Sequence, residues 1–198
     1  LKGVSAGSTV DKPVTLWAFR NFQVSQTEYV LRDPQSGEEE VLAQVGYASY
    51  KWFPGPEQAG TKELLVRVKD TSGHTHSSQS ISVKLAGTPR LLLEGVGPQQ
   101  VVTGPVKLTV LSNVPLQSIQ YNLVNIKTGS KRAIAGGKNF QAEYTWTPVQ
   151  TDNGEWKIQA EGLLASGAKV TSEGIPVKVY LGKIYSAKPI IEKNKFLE

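Results

Sequence analysis

Apolar and polar residues alternate in short runs along most of the chain. Between Pro13 and Phe19 the aliphatic positions are Val14, Leu16 and Ala18, spaced by two, so they share one face of an extended segment. Val106, Leu108 and Val110 repeat that spacing, and Thr27, Tyr29 and Leu31 with Ile119, Tyr121 and Leu123 form the next inward sets. Asp33-Pro34-Gln35-Ser36-Gly37 and Asn125-Ile126-Lys127-Thr128-Gly129 read as hairpin loops, in which the Asp or Asn side chain opens the turn and glycine takes positive φ. Val41 to Val45 and Arg132 to Ala135 are the returning strands. Tyr50/Trp52 and Tyr144/Trp146 mark the next pair, closed by Pro54 and Pro148, because proline cannot continue a central strand. Loops at Pro56 to Gly60 and Val149 to Asn153 lead into Leu64, Val66, Val68 and Trp156, Ile158, Ala160. Gly73 and Gly167 mark hairpin turns, and Ile81, Val83, Leu85 and Ile175, Val177, Val179 close the pattern.

The pattern occurs twice because the sequence does. Leu1-Lys2-Gly3-Val4 aligns with Leu93-Glu94-Gly95-Val96 at an offset of 92, and Tyr50-Lys51-Trp52-Phe53-Pro54 aligns with Tyr144-Thr145-Trp146-Thr147-Pro148 at 94. A unit of about 90 residues is a small domain rather than a solenoid repeat, whose periods run roughly 20 to 50. The expected division is residues 1–87, residues 88–181, and a segment 182–198 that leads into a further domain. Copy one starts inside its own first strand, so sequence is expected upstream. Short strands spaced for turns, with no helical period, predict an all-β chain of two tandem immunoglobulin-like β-sandwich domains without disulfides. Tyr29, Tyr50 and Trp52 recur as Tyr121, Tyr144 and Trp146, which predicts core rings; Trp156 is expected to be buried with them. In the last segment, Ser186 as a cap and Ile190/Ile191 with Phe196/Leu197 near helical spacing predict a helix.

Composition narrows the classes. The chain has no cysteine, hence no disulfide framework and no thiolate metal site. The net charge of +5 is spread over copy two and the last segment rather than clustered on one face, which argues against nucleic acid as a partner. No run approaches the roughly 18 apolar residues of a membrane span. No cofactor motif is present.

Candidate chemistry is sparse. Gly3-Val4-Ser5-Ala6-Gly7 has the spacing of a serine-hydrolase elbow, but it lies between strands rather than on a strand-to-helix turn, and copy two has Gly97 in place of the serine. His74 and His76 share a strand face and could chelate a metal, yet neither a third histidine nor a carboxylate adjoins them in sequence; a solvated hairpin arm is the expected reading. Glu38-Glu39-Glu40 lie on one strand, so neighbours face opposite ways and do not flank one glycosidic bond; they read as a charged, protected edge. Gly136-Gly137-Lys138 lacks the rest of a phosphate loop and reads as a turn. Trp17 and Phe19 differ from the other aromatics. Their phase is opposite to Leu16 and Ala18, and copy two has Thr109 and Leu111 there. They are expected to face outward, as a glycan-stacking strip or an interdomain contact. No catalytic residues are assigned.

Lys12-Pro13-Val14-Thr15-Leu16-Trp17, Tyr50-Lys51-Trp52-Phe53-Pro54-Gly55-Pro56 and Val66-Arg67-Val68-Lys69-Asp70 resemble the Ig-like repeats that precede wall-hydrolase domains in Firmicutes. Ser186-Ala187-Lys188-Pro189-Ile190-Ile191-Glu192-Lys193-Asn194-Lys195-Phe196-Leu197 is similar to the entry of the glucosaminidase domain of autolysins, the mannosyl-glycoprotein endo-β-N-acetylglucosaminidase-like family. The resemblance implies an extracellular, wall-associated and non-catalytic arm of a peptidoglycan hydrolase. Its partners would be the downstream catalytic domain of the same chain and cell-wall peptidoglycan or other wall polymers. The family's catalytic glutamate lies beyond this entry, so no residue here inherits it. The alternative is an adhesin- or receptor-type Ig-like module that binds a protein or glycan by its loops.

Overall fold

The computed structural model describes residues 1–46, 48–136 and 142–182; the expected helix after Ser186 and the Gly137-Lys138 turn lie outside them. Copy one contains β1 (Thr9–Val10), β2 (Val14–Trp17), β3 (Val24–Arg32), β4 (Glu39–Val45), β5 (Ser49–Trp52), β6 (Gly60–Asp70), β7 (Thr75–Ser77) and β8 (Ile81–Leu85). Copy two contains β9 (Leu91–Glu94), β10 (Gln100–Val102), β11 (Val106–Ser112), β12 (Ser118–Asn125), β13 (Lys131–Gly136), β14 (Glu143–Trp146), β15 (Gly154–Leu163), β16 (Lys169–Thr171) and β17 (Ile175–Val179).

Each copy is a two-layer immunoglobulin-like sandwich. In copy one the larger sheet runs β1-β8-β6-β3-β4 with β7 on β6, and faces the pair β2-β5. In copy two the larger sheet runs β10-β17-β15-β12-β13 with β16 on β15, and faces β14-β11-β9. Among the described residues no strand pairing crosses from one copy to the other. Each sandwich has its own buried cluster, around Leu16, Tyr29, Trp52 and Leu64 in one and Leu108, Tyr121, Trp146 and Ile158 in the other. The inward sets of the alternation are the residues buried between the layers, which is what period two demands of a sheet with one covered face.

The two tyrosines at the centre sit alike. Tyr29 Oη lies 2.6 Å from the Ala48 carbonyl and Tyr121 Oη donates to the Ala142 carbonyl at 2.9 Å. Each stacks beside a half-buried partner, Tyr50 or Tyr144, with centroids 5.7 and 5.5 Å apart. Burial raises the pKa of Tyr29, and pushes Tyr121 up to about 12, so both phenols stay neutral. Gly3 and Gly95 share positive φ, and a Cβ on either would run into the carbonyl oxygen of the facing β2 or β11 strand, Thr15 or Lys107. The first glycine of the serine-hydrolase-like motif is therefore a packing requirement that both copies share.

Three expectations need correction. Trp156 is half-buried rather than buried: it begins the inward set of β15 at the rim, where its indole N–H donates to the Asp152 carbonyl at 2.7 Å. The strand expected over Pro13 to Phe19 is only Val14–Trp17, because its partner β5 is four residues long. The loops before β6 and β15 each contain a 3-10 turn, Pro56–Gln58 and Gln150–Asp152. Gly73 and Gly167 mark hairpin turns as expected, and the return arms are the short strands β7 and β16, after which the chain kinks toward β8 and β17. At each kink a serine hydroxyl takes over ladder bonding. Ser78 Oγ accepts from the Val66 N–H at 3.0 Å and Ser172 Oγ from the Ala160 N–H at 2.9 Å.

The 3-10 turns reveal an exchange of charge between the copies. In copy one, buried Gln58 accepts from the Trp52 indole N–H and the Gly55 N–H and donates to the Glu40 carboxylate at 3.0 Å. In copy two the matching positions are Asp152 and Arg132. Asp152, 1% exposed, accepts from the Val149 N–H and pairs with the Arg132 guanidinium. The bridge from edge strand to turn is kept while donor and acceptor change sides.

The two sandwiches are joined through residues 86–90 and touch beside them. Asn113 clasps them: its Nδ2 donates to the Pro54 and Thr88 carbonyls, both at 2.9 Å, and its Oδ1 accepts from the Arg90 N–H at 2.7 Å. Two ion pairs flank the clasp, Arg90–Asp11 at 3.0 Å and Lys51–Glu94 at 3.2 Å.

Candidate functional site

β2 turns Leu16 inward and leaves the positions on either side facing out. Trp17 is 46% and Phe19 69% exposed. Lys2 pairs with Trp17 across the edge of β2, with reciprocal backbone bonds of 2.9 Å, and its ammonium lies 4.9 Å from the Phe19 ring centroid. On the opposite side of Trp17, β5 presents Ser49. The outward face of the small sheet thus carries Thr15, Trp17, Ser49 and Lys51, and just past the end of β2 stands the Phe19 ring with the Lys2 ammonium beside it. This combination suits the apolar C–H face and hydroxyl rim of a sugar, since aromatic faces attract polarised C–H groups and cations alike.

Copy two has the same sheet and a different surface. Thr109 and Leu111 replace the two rings, and Glu94 and Glu143 flank Thr109 where copy one has Lys2 and Ser49. Glu143 pairs with Lys107 at 2.9 Å and Glu94 with Lys51. An ordinary charged surface stands where copy one exposes rings.

The remaining candidates separate. Ser5 is exposed, its carbonyl bonds to Ser8 Oγ at 2.7 Å, and the shallow hollow beside it is lined by residues 1–5, 8–10 and 14, with no histidine or acid. Contrary to expectation a carboxylate does adjoin the histidines: Asp70, at the other arm of the β6–β7 hairpin, lies 3.0 Å from His76 Nε2 and 3.5 Å from His74 Nδ1. The hydrogen bond from His76, with the His74 and Ser72 backbone N–H groups, lowers the Asp70 pKa to about 2. Among the described residues, no group of three or more His, Cys, Asp or Glu is placed to hold a metal ion. His76 also tilts against Phe22, centroids 5.1 Å apart. Glu38, Glu39 and Glu40 lie exposed at the sheet edge, Glu39 paired with Arg67 at 2.7 Å. Asp33 and Glu161 also have lowered pKa values, Asp33 through Lys62 and Glu161 through Lys131 and Lys169. A carboxylate held ionised by cations is the opposite of a general acid. No described helix is long and apolar enough to cross a membrane.

No family model and no curated protein matches the chain. Solved structures resemble it at low identity. The fibronectin(III)-like modules of Clostridium thermocellum CbhA share 13% identity over 90% of this chain and 90% of theirs, at a TM-score of 0.32. Dimeric latent PorU from Porphyromonas gingivalis shares 11% over 90% of this chain and 19% of its own, at 0.42. A tetra-tandem repeat from the extending region of a large adhesion protein shares 13% over 86% of this chain and 45% of its own, at 0.34. The chain spans less than half the length of the latter two.

Proposed function

We propose that the chain is a non-catalytic, extracellular spacer and substrate-positioning module of a peptidoglycan hydrolase, and that copy one touches wall glycan through Trp17 and Phe19. The observation that carries the glycan contact is the asymmetry between copies. The outward positions that copy two fills with Thr109 and Leu111 carry two exposed rings in copy one. The ring surface left exposed gains nothing from folding, and stacking on sugar would cover it. The clasp at Asn113 supports the spacer role, because it holds one sandwich against the other.

Pelleting with purified Gram-positive sacculi tests this. Attraction between exposed charges is screened beyond roughly 3 Å at 1 M salt, whereas stacking is not. Binding is expected to survive high salt and to be lost with Trp17→Ala. Binding that salt abolishes, or that ignores Trp17→Ala, removes the strip from the account. Absence of binding at low salt leaves a plain spacer or the adhesin- or receptor-type module.

A further inference from the structure

We propose that the free edge of β9, in the cleft between the two sandwiches, binds an extended peptide segment by strand addition. β9 pairs only with β11 among the described strands. The Arg90 carbonyl accepts from the Asn113 N–H, which fixes the parity of the ladder. Arg90, Leu92 and Glu94 exchange bonds with β11, and the N–H and C=O groups of Leu91 and Leu93 point the other way. No described strand meets them. Sheet edges are usually guarded by shortness, proline, a bulge or an inward charge; β9 is short, at four residues, but Leu91-Leu92-Leu93 carries no proline, bulge or charge. The charges that flank it are both drawn aside, Arg90 to Asp11 and Glu94 to Lys51.

The edge opens onto a cleft of about 470 Å³. Pro13 and Phe53 of copy one and Leu92 and Ile175 of copy two give it apolar walls, and Lys12 of copy one and Glu173 of copy two line it as well. The side chains of Lys12 and Glu173 have no hydrogen-bond or ion-pair partner among the described residues. Alternating donors and acceptors at strand spacing match a polypeptide backbone, which a sugar or a compact small molecule does not present. The occupant that fits is therefore an extended segment with apolar residues at the centre, an acidic side chain toward Lys12 and a basic one toward Glu173. Its backbone would satisfy Leu91 and Leu93. The cleft is separate from the Trp17 strip, so this inference stands or falls independently of glycan binding.

The whole chain, immobilised, is panned with a random dodecapeptide display library against an unrelated β-sandwich as control. The best enriched peptide is synthesised and titrated into isotope-labelled chain. Amide exchange at Leu91 and Leu93 is expected to slow while that at Leu92, already bonded to β11, stays as it was. The Lys12→Glu/Glu173→Lys double variant, altering two unpaired side chains, is expected to weaken binding about tenfold, and Trp17→Ala to leave it unchanged. The proposal is overturned by no enrichment over the control, by binding that leaves Leu91 and Leu93 exchange unaltered, or by binding indifferent to the double reversal.

Discussion

Asp33 and Asn125 occupy the same place in the two copies and do the same work with different charge. Asp33 Oδ1 accepts from the Gln35 and Ser36 N–H groups at 2.8 and 3.1 Å, and Asn125 Oδ1 accepts from those of Lys127 and Thr128, both at 3.0 Å. Only Asp33 titrates. The hydrogen bond from Lys62, then the two backbone donors, lower its pKa from 3.8 to about 2. A depressed folded-state value means that the carboxylate stabilises the turn above pH 3.8 and that this contribution is lost as pH falls toward 2. The Gln35 and Ser36 amide resonances are expected to shift through that window, while those of Lys127 and Thr128 hold still. An NMR titration of the whole chain decides it; equal shifts in both turns refute the account. Trp17 and Phe19 were readable at this scale too, because alternation fixes which way a strand residue points and the second copy shows that the ring is dispensable to the core. Asp70 was not: the sequence predicts the hairpin arm that carries His74 and His76, but not the register that brings Asp70 across the turn to them.

At the scale of elements, the bridge from edge strand to 3-10 turn offers a sharper test of the repeat. Arg132→Glu leaves buried Asp152 facing a like charge; because the Arg132 guanidinium is half-exposed, the loss is expected to fall below the roughly 3–5 kcal/mol of a fully buried pair. Adding Asp152→Gln imports the copy-one pairing, a carboxylate on the strand and an amide at the turn. The double variant is expected to recover most of the loss in urea unfolding, a coupling that a double-mutant cycle reads directly. No recovery would mean that the two bridges are not equivalent. The strands themselves were legible because period two and the repeat reinforce each other. The bridge was not: its positions align, but Glu with Arg and Gln with Asp look like drift until the pairing across space is seen. Ser78 and Ser172 do match at the shared offset, yet a serine in a polar stretch carries no signal that it will bond a ladder N–H.

For the whole molecule, the junction is the part that no local pattern encodes. Its two ion pairs are half-exposed and worth about 0–1 kcal/mol each, and salt screens them. The Asn113 clasp is uncharged and does not depend on ionic strength in that way. A different property follows from how each sandwich is laced near its entry and exit. β1 runs parallel to β8 and β10 parallel to β17. Tension on a copy drags these partners past one another, so their bonds are sheared together, whereas an antiparallel hairpin pulled from its open end unzips one bond at a time. The registered contact spans two residue pairs in copy one and three in copy two. Stretched from both ends, the chain is expected to yield in two steps, copy one at the lower force. A Thr9→Cys/Lys84→Cys crosslink, at facing positions in a chain without other cysteines, should delete the weaker step in single-molecule pulling; loss of the stronger step would reverse the order. In the spacer role proposed above, staged yielding would let the chain lengthen under load while one sandwich stays folded.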